Sequence, residues 1–285
     1  MYQLIDGKKI ARELIQKITE RIRTEMLEPQ LAVILVGHDP ASELYVKLKE
    51  KHCREAGITI HIYRIPESED EFTLHKTIQF LNNDPEIDAI LIQLPLPESF
   101  DQDRAIALMD YRKDVDGFHP TNIHSYLDGK PQIILPGLSL AIWHLIESTG
   151  EKQYHDKHAL IVAKSERFTQ PTKKLLEERG MTVAIAKPDE NELTQKMRDA
   201  EILITAIGKP QLITSDMVRE GATVIDVGIN TLHGITVGDV DFASVAPKTA
   251  FITPVPGGVG PMTVAMLLLN TTILARMRRG SHAIV

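Results

Sequence analysis

Apolar residues recur every three or four positions at the start of the chain. Ile10, Leu14, Ile18, Ile22 and Met26 make one stripe with charge between them, which predicts an amphipathic helix stopped by Pro29. The period then changes. LAVILVG (31–37) is a short apolar run ending in glycine, the pattern of a buried strand. A helical pattern from about Ala41 to Ala56 follows, with Gly57 as its C-cap. ITIHIYRI (58–65) reads as a strand, FTLHKTIQFLNN (72–83) as a helix and AILIQL (89–94) as a strand. Strands alternating with helices predict parallel βαβ units.

The stretch 110–137 breaks the rhythm. Gly117, Pro120, Gly129, Pro131, Pro136 and Gly137 make it loop-rich, and GLSLAIWHLIEST (137–149) after it reads as a helix. A second alternating series begins there. ALIVA (159–163), TVAIA (182–186), EILITAI (201–207) and ATVIDVG (222–228) read as strands, with helices at about 171–179, 190–199 and 214–220. PMTVAMLLLNTTILARM (261–277) is a very apolar final helix with Pro261 at its first position, and it is read as too short for a membrane span. Two α/β units are expected, with a hinge near the helix after Gly137.

Composition narrows the function classes. A chain of 285 residues has room for two domains. The net charge of −7, from 32 basic and 39 acidic residues, lacks the basic surplus usual in nucleic-acid binders. The single cysteine, Cys53, leaves no intrachain disulfide and no multi-cysteine metal site, and it fits a reducing cytosol. No metal site is expected. The N-terminus lacks the apolar core of a signal peptide. A cytoplasmic protein without a membrane or nucleic-acid partner is expected.

Four stretches could carry chemistry. Tyr45 and Lys49 stand four apart, on one face of the second helix. A lysine beside a ring can have a lowered pKa and act as acid or base, although a solvated lysine is the commoner case. Gln93 opens QLPLP (93–97) at the carboxyl end of a strand, where open α/β sheets bind ligands; a simple proline turn is the competing reading. KDVDGFHP (113–120) offers two carboxylates in a turn, able to accept paired hydrogen bonds from an amino-heterocycle or merely to shape the turn. TPVPGGVGPMT (253–263) sets three prolines and three glycines before an apolar helix, which suits close approach of backbone to a flat ligand better than it suits a plain connector.

Taken together, DPASELYVKLKEKHCREAGI (39–58), AILIQLPLP (89–97), KDVDGFHP (113–120), GATVIDVGIN (221–230) and ITPVPGGVGPMTVAML (252–267) resemble the bifunctional methylenetetrahydrofolate dehydrogenase/methenyltetrahydrofolate cyclohydrolase family. The resemblance implies an α/β protein of two domains with a folate cleft between them. Residues 1–137, joined by the C-terminal helix 261–285, would be the catalytic domain. Residues 138–260 would be a Rossmann-like, doubly wound parallel-sheet domain. The implied activities are oxidation of methylenetetrahydrofolate with NADP and hydrolysis of methenyltetrahydrofolate to 10-formyltetrahydrofolate, in a homodimer. Carried over by position, Lys49 and Gln93 are catalytic. Tyr45, Asp116, Gly257, Gly258 and Pro261 bind the folate. Lys164, Ser165 and Ile229 bind the cofactor.

The sequence departs from the family pattern in two places. Where the family carries a PCTP-x-G stretch, this chain reads LPGLSLA (135–141) and keeps only Pro136. Where the family's phosphate loop reads G-R-S-x-x-x-G-x-P, this chain reads Ala163-Lys164-Ser165-Glu166-Arg167-Phe168-Thr169-Gln170-Pro171. Both loop glycines are gone, and Lys187-Pro188-Asp189 replaces a segment that helps hold the adenosine end. Glycines there allow close approach to a pyrophosphate. The side chains of Ala163, Phe168 and Thr169 are therefore expected to crowd the cofactor, with a helix starting at Pro171 and NADP binding poorly. A cyclohydrolase that has lost its redox step, or a non-catalytic folate-binding paralogue, are the alternatives this leaves.

Overall fold

The computed structural model describes residues 2–150 and 154–280. In chain order its elements begin β1 (Gln3–Leu4), α1 (Gly7–Thr24), β2 (Gln30–Val36), α2 (Pro40–Ala56), β3 (Thr59–Ile65), α3 (Glu71–Asn83), β4 (Ala89–Ile92), α4 (Gln102–Leu108), α5 (Pro120–Leu127) and α6 (Gly137–Glu147). They continue β5 (His158–Ala163), α7 (Glu166–Glu178), β6 (Thr182–Ala186), α8 (Leu193–Asp199), β7 (Ile202–Ala206), β8 (Thr223–Asp226), β9 (Asn230–Leu232), β10 (Ile235–Val237), α9 (Phe242–Val245), β11 (Phe251–Ile252) and α10 (Val259–Arg278). Two compact units result. One joins residues 13–137 to those from 264 onward; the other joins the residues up to Arg12 to 138–263.

The first of these units is built on a parallel sheet in the order β3-β2-β4. Every residue from Leu31 to Val36 is buried, and the reason is visible in two cores. Leu31, Val33 and Leu35 pack with Ile18, Ile22, Val46, Leu267 and Leu268. Ala32, Ile34 and Val36 pack with Leu74, Ile78 and Leu81. Side chains alternate between faces, and both faces are covered, so the strand reads as an unbroken apolar run. Helix α2 is closed at both ends by its own sequence. The Asp39 carboxylate accepts from Ser42 N at 2.8 Å, and Gly57 terminates the helix at φ 85°.

Helix α10 is long and apolar enough to cross a membrane, contrary to the sequence expectation. Its apolar residues are nevertheless core residues. Val264, Leu267, Leu268 and Leu274 pack into the face of the sheet that also receives α1. Asn270 is fully buried there, donating to Val115 O at 2.9 Å and to Leu135 O at 3.2 Å.

The second unit holds a six-stranded parallel sheet in the order β1-β11-β8-β7-β5-β6. From β5 the chain moves out to β6, then returns to the other side at β7. The winding direction reverses between β5 and β7, which defines a doubly wound sheet with its switch point there. Leu160, Val162, Leu203, Val224 and Ile252 form its core. An antiparallel hairpin, β9–β10, and the edge strand β1 were not expected.

Several other expectations need correction. Met26 is 80% exposed at φ 49°, so the stripe of α1 ends at Ile22. The loop-rich stretch 110–137 contains α5, which starts at Pro120. Helix α8 covers only part of 190–199, and 214–220 holds a single 3-10 turn, Ser215–Met217. Pro261 lies at the third position of α10 rather than the first. Helix α7 starts five residues before Pro171, which lies buried inside it. Residues 281–285 of the expected C-terminal segment lie outside the described residues.

Candidate active site

Lys49 and Gln93 meet because α2 and the end of β4 bring them together. Strand β4 ends at Ile92, and the next backbone N–H, that of Gln93, still bonds to Ile34 O on β2 at 2.9 Å. Gln93 is thus fixed at the carboxyl end of the sheet. Its Oε1 accepts from Lys49 Nζ at 2.8 Å, while its Nε2 donates to Leu94 O at 2.7 Å. Both ends of the carboxamide are used, so its orientation is set.

The electrostatics follow from burial. Loss of solvent pulls the Lys49 ammonium below the ordinary lysine pKa, and the charge of Asp116, with a smaller share from Cys53, pulls the other way. Tyr45 is half-buried one turn before Lys49, and burial raises its phenol pKa. Cys53 stands one turn after Lys49, and burial pushes its thiol up to about 12, so it is no nucleophile at neutral pH.

The loop that carries Asp116 is shaped by its neighbour. The buried Asp114 carboxylate accepts from Gly117 N at 3.1 Å, His119 N at 2.7 Å and Asn122 Nδ2 at 2.9 Å. Gly117 sits at φ 73°, and a Cβ there would lie 2.9 Å from Pro136 Cα. The loop is closed from inside by these bonds, none of which uses the Asp116 carboxylate. No described residue donates a hydrogen bond to it. Burial lifts its pKa to about 6, with Lys49 opposing that shift and Asp114 adding to it. The two aspartates of KDVDG therefore divide the work: the first builds the turn, and the second is left unpaired next to a lysine. Only the second was singled out from sequence. The signal for the first was the turn itself, an aspartate three residues before a glycine.

The remaining folate-side candidates lie in the other unit. Gly258 faces Gly7 so closely that a Cβ on Gly7 would run into the Gly258 carbonyl. Lys8 N donates to Gly257 O at 3.0 Å, and the space above Gly258 is filled by Thr253 and Pro254. These glycines are needed first for the packing of their own loop.

The cofactor-side candidates lie at the carboxyl ends of the doubly wound sheet. Lys164 and Ser165 form the whole connection between β5 and α7, and both are exposed. Ser165 occupies the N-cap without using its side chain there. The first turn of a helix leaves its N–H groups unsatisfied, so this end of α7 is suited to an anion. Gly208 follows β7 at φ 75°, with open space where a Cβ would be. Ile229, after β8, is 50% exposed, an apolar surface fit for a flat ring. The expected obstruction is absent from this surface. Ala163, Phe168 and Thr169 are 3%, 6% and 2% exposed, so their side chains are packed away and do not stand over the turn. The residues present fit a dinucleotide.

Residues 5–116 match the catalytic domain of the tetrahydrofolate dehydrogenase/cyclohydrolase family, and residues 136–279 match its NAD(P)-binding domain. The chain belongs to that family. It is 45% identical over 278 residues to the bifunctional protein FolD of Moorella thermoacetica, covering 96% of this chain and 99% of that one. Identity to the protein of the same name from Nitratiruptor sp. is 43% over 283 residues, with 98% and 100% covered. The crystal structure of the bifunctional FolD dehydrogenase/cyclohydrolase from Campylobacter jejuni superposes with a TM-score of 0.92 at 40% identity, covering 98% of this chain and all of that one. The Trypanosoma brucei family member, solved with NADP cofactor and inhibitor, gives a TM-score of 0.91 at 29% identity, with 99% of each chain covered. In this family setting Lys49, Gln93 and Asp116 lie in the catalytic domain and Lys164, Ser165 and Ile229 in the NAD(P)-binding domain.

Proposed function

We propose that the chain interconverts one-carbon tetrahydrofolates, oxidising the methylene form with NADP and hydrolysing the methenyl form to 10-formyltetrahydrofolate. The observation that carries this reading is the Lys49–Gln93 hydrogen bond beside the unpaired Asp116 carboxylate. It is supported by full-length likeness to bifunctional relatives.

In the hydrolysis, the pterin lies on the half-buried ring of Tyr45 and donates to Asp116. Water adds to the methenyl carbon and gives a proton to the Lys49 amine, whose lowered pKa makes a neutral base accessible. The adduct then collapses. Its hydroxyl releases its proton to solvent and becomes the formyl oxygen, the bond from that carbon to N5 breaks, and N5 takes the proton held on Lys49. Gln93 holds the amine in place without giving it a negative partner. For the oxidation, bound NADP would supply the acceptor for the hydride of the methylene carbon. Lys164, Ser165 and the start of α7 would hold its phosphates, and Ile229 would line its ring.

We assign the unit 13–137 with the C-terminal helix to folate chemistry and 138–263 to the nucleotide, in a cytoplasmic homodimer. The cyclohydrolase-only and non-catalytic alternatives rested on a crowded phosphate turn, and the burial of Phe168 and Thr169 takes away that support. Titrating the purified protein with NADP by calorimetry, alongside separate assays of oxidation and hydrolysis, tests the reading. Micromolar NADP affinity with both activities is expected. Hydrolysis without NADP binding would return the cyclohydrolase-only assignment.

A further inference from the structure

Asp239 is fully buried, and among the described residues no lysine or arginine forms an ion pair with it. Its carboxylate instead collects four N–H donors. Oδ2 accepts from Ile207 N at 2.5 Å, and Oδ1 accepts from Gly208 N and Lys209 N, each at 3.0 Å. Oδ1 also accepts from Asn230 Nδ2 at 2.9 Å. The first three donors are consecutive backbone amides. They form the loop that leaves the carboxyl end of β7, at the switch point of the sheet. The fourth belongs to the residue after Ile229.

A second aspartate holds the first. Asp226, the last residue of β8, accepts from Gly228 N at 2.9 Å, Asp239 N at 3.1 Å and Val240 N at 3.0 Å. Two glycines seal the arrangement. A Cβ on Gly228 would collide with the Asp239 carboxylate, and one on Gly238 with that of Asp226. The loops after β7 and β8 are therefore docked on two buried carboxylates, and the backbone at Gly228 and Gly238 leaves no room for a side chain beside them.

Burying a carboxylate is costly unless hydrogen bonds satisfy it. Here the compensation comes entirely from the amides of one exposed loop and the side chain of another. We propose that Asp239 is a positioning residue for dinucleotide binding, fixing the Ile207–Lys209 loop and, through Asn230, the Ile229 loop in the conformation that receives the cofactor. This rests on the dinucleotide reading of the unit. Open α/β sheets bind ligands outside the carboxyl ends of their strands at the switch point, and the loop after β7 is one of the two that flank it.

The test begins with amide hydrogen exchange in the unliganded wild-type protein. Ile207, Gly208 and Lys209 amides should be protected despite the exposure of Gly208 and Lys209. Exchange at the rate of a free loop would overturn the clamp before any variant is made. Asp239→Asn keeps the volume and one acceptor but turns an amide toward Ile207 N. The expected result is exchange at Ile207 at least tenfold faster, NADP affinity about tenfold weaker and a raised KM for NADP. Methenyl-folate hydrolysis, run by residues of the other unit, should stay within twofold. Asn230→Ala removes one donor only and should weaken NADP by a few-fold, which keeps the proposal testable if Asp239→Asn folds poorly. Unchanged NADP affinity in both variants, or hydrolysis falling in step with oxidation, would overturn the positioning role. A wild-type protein with protected amides and no NADP affinity would instead overturn the functional reading.

Discussion

Lys49 on α2 donates to the Gln93 carboxamide at 2.8 Å, and this neutral acceptor decides what the amine can do. A carboxylate in that place would hold the lysine as an ammonium. A carboxamide fixes its position and leaves burial free to lower its pKa. The negative charge acting most on it, that of Asp116, opposes that shift without reversing it.

Exchanging the acceptor tests this directly. Gln93→Glu should raise the Lys49 pKa, reduce hydrolysis at neutral pH and move the rising limb of the pH–rate profile to higher pH. A profile that keeps its midpoint contradicts the role given to the carboxamide.

Removing the amine should cost more. Lys49→Met is expected to slow methenyl-folate hydrolysis by about 10²–10⁴-fold, the range for a positioned acid or base. Folate affinity, measured separately by calorimetry, separates lost chemistry from lost binding. Near-normal turnover would remove Lys49 from the mechanism.

Asp116 should act on affinity. Asp116→Ala is expected to weaken folate binding by about 1.5–3 kcal/mol, the value of a hydrogen bond to a charged group. A calorimetric titration with a folate analogue that gives unchanged affinity would exclude Asp116 from the site.

The same carboxyl gives a pH dependence. Its pKa is raised to about 6, so it is ionised at neutral pH and takes up a proton as pH falls through that value. Folate affinity should decline below pH about 6 and be constant above about 7. For stability the sign is the reverse of the usual aspartate case. The folded state holds this proton more tightly than the unfolded chain, so this group's contribution falls as pH rises from about 4 to about 6. Urea unfolding across that range measures it.

Phe168 separates two pictures of the nucleotide turn. If its ring crowded the cofactor, Phe168→Ala would tighten NADP binding. As the ring is buried, the substitution should instead lower stability by about 3–5 kcal/mol and leave NADP no tighter. Denaturant unfolding and a cofactor titration on the same sample distinguish the outcomes.

The pattern of the sequence was legible where a single force acts. The unbroken apolar run of β2 reported a strand with both faces covered, and Gly57 reported the end of α2 because only a left-handed residue fits there. The folate-side residues were legible because Tyr45 and Lys49 share a helix face and the QLPLP and KDVDG turns end strands and loops. Helix α7 was misplaced because Pro171 looks like a first-turn residue. It lies instead in a helix that starts directly after Lys164 and Ser165. That error put Phe168 and Thr169 in a loop, where their side chains would have faced the cofactor. In a helix one face turns inward, and they are on it. Strands β1 and β11 are two residues each, too short for any period to show. Asp239 escaped notice because three of its four partners are backbone amides, which leave no mark on the sequence around them.

The route of the chain has a consequence for synthesis. The core behind Lys49 is completed by Val264, Leu267, Leu268 and Leu274, and Asn270 ties the final helix to carbonyls of Val115 and Leu135. A nascent chain that has released everything up to the nucleotide unit still lacks one wall of its catalytic unit. Hydrolytic competence must therefore arise after translation has passed residue 274, with the earlier segment waiting, partly open, for the last helix to arrive.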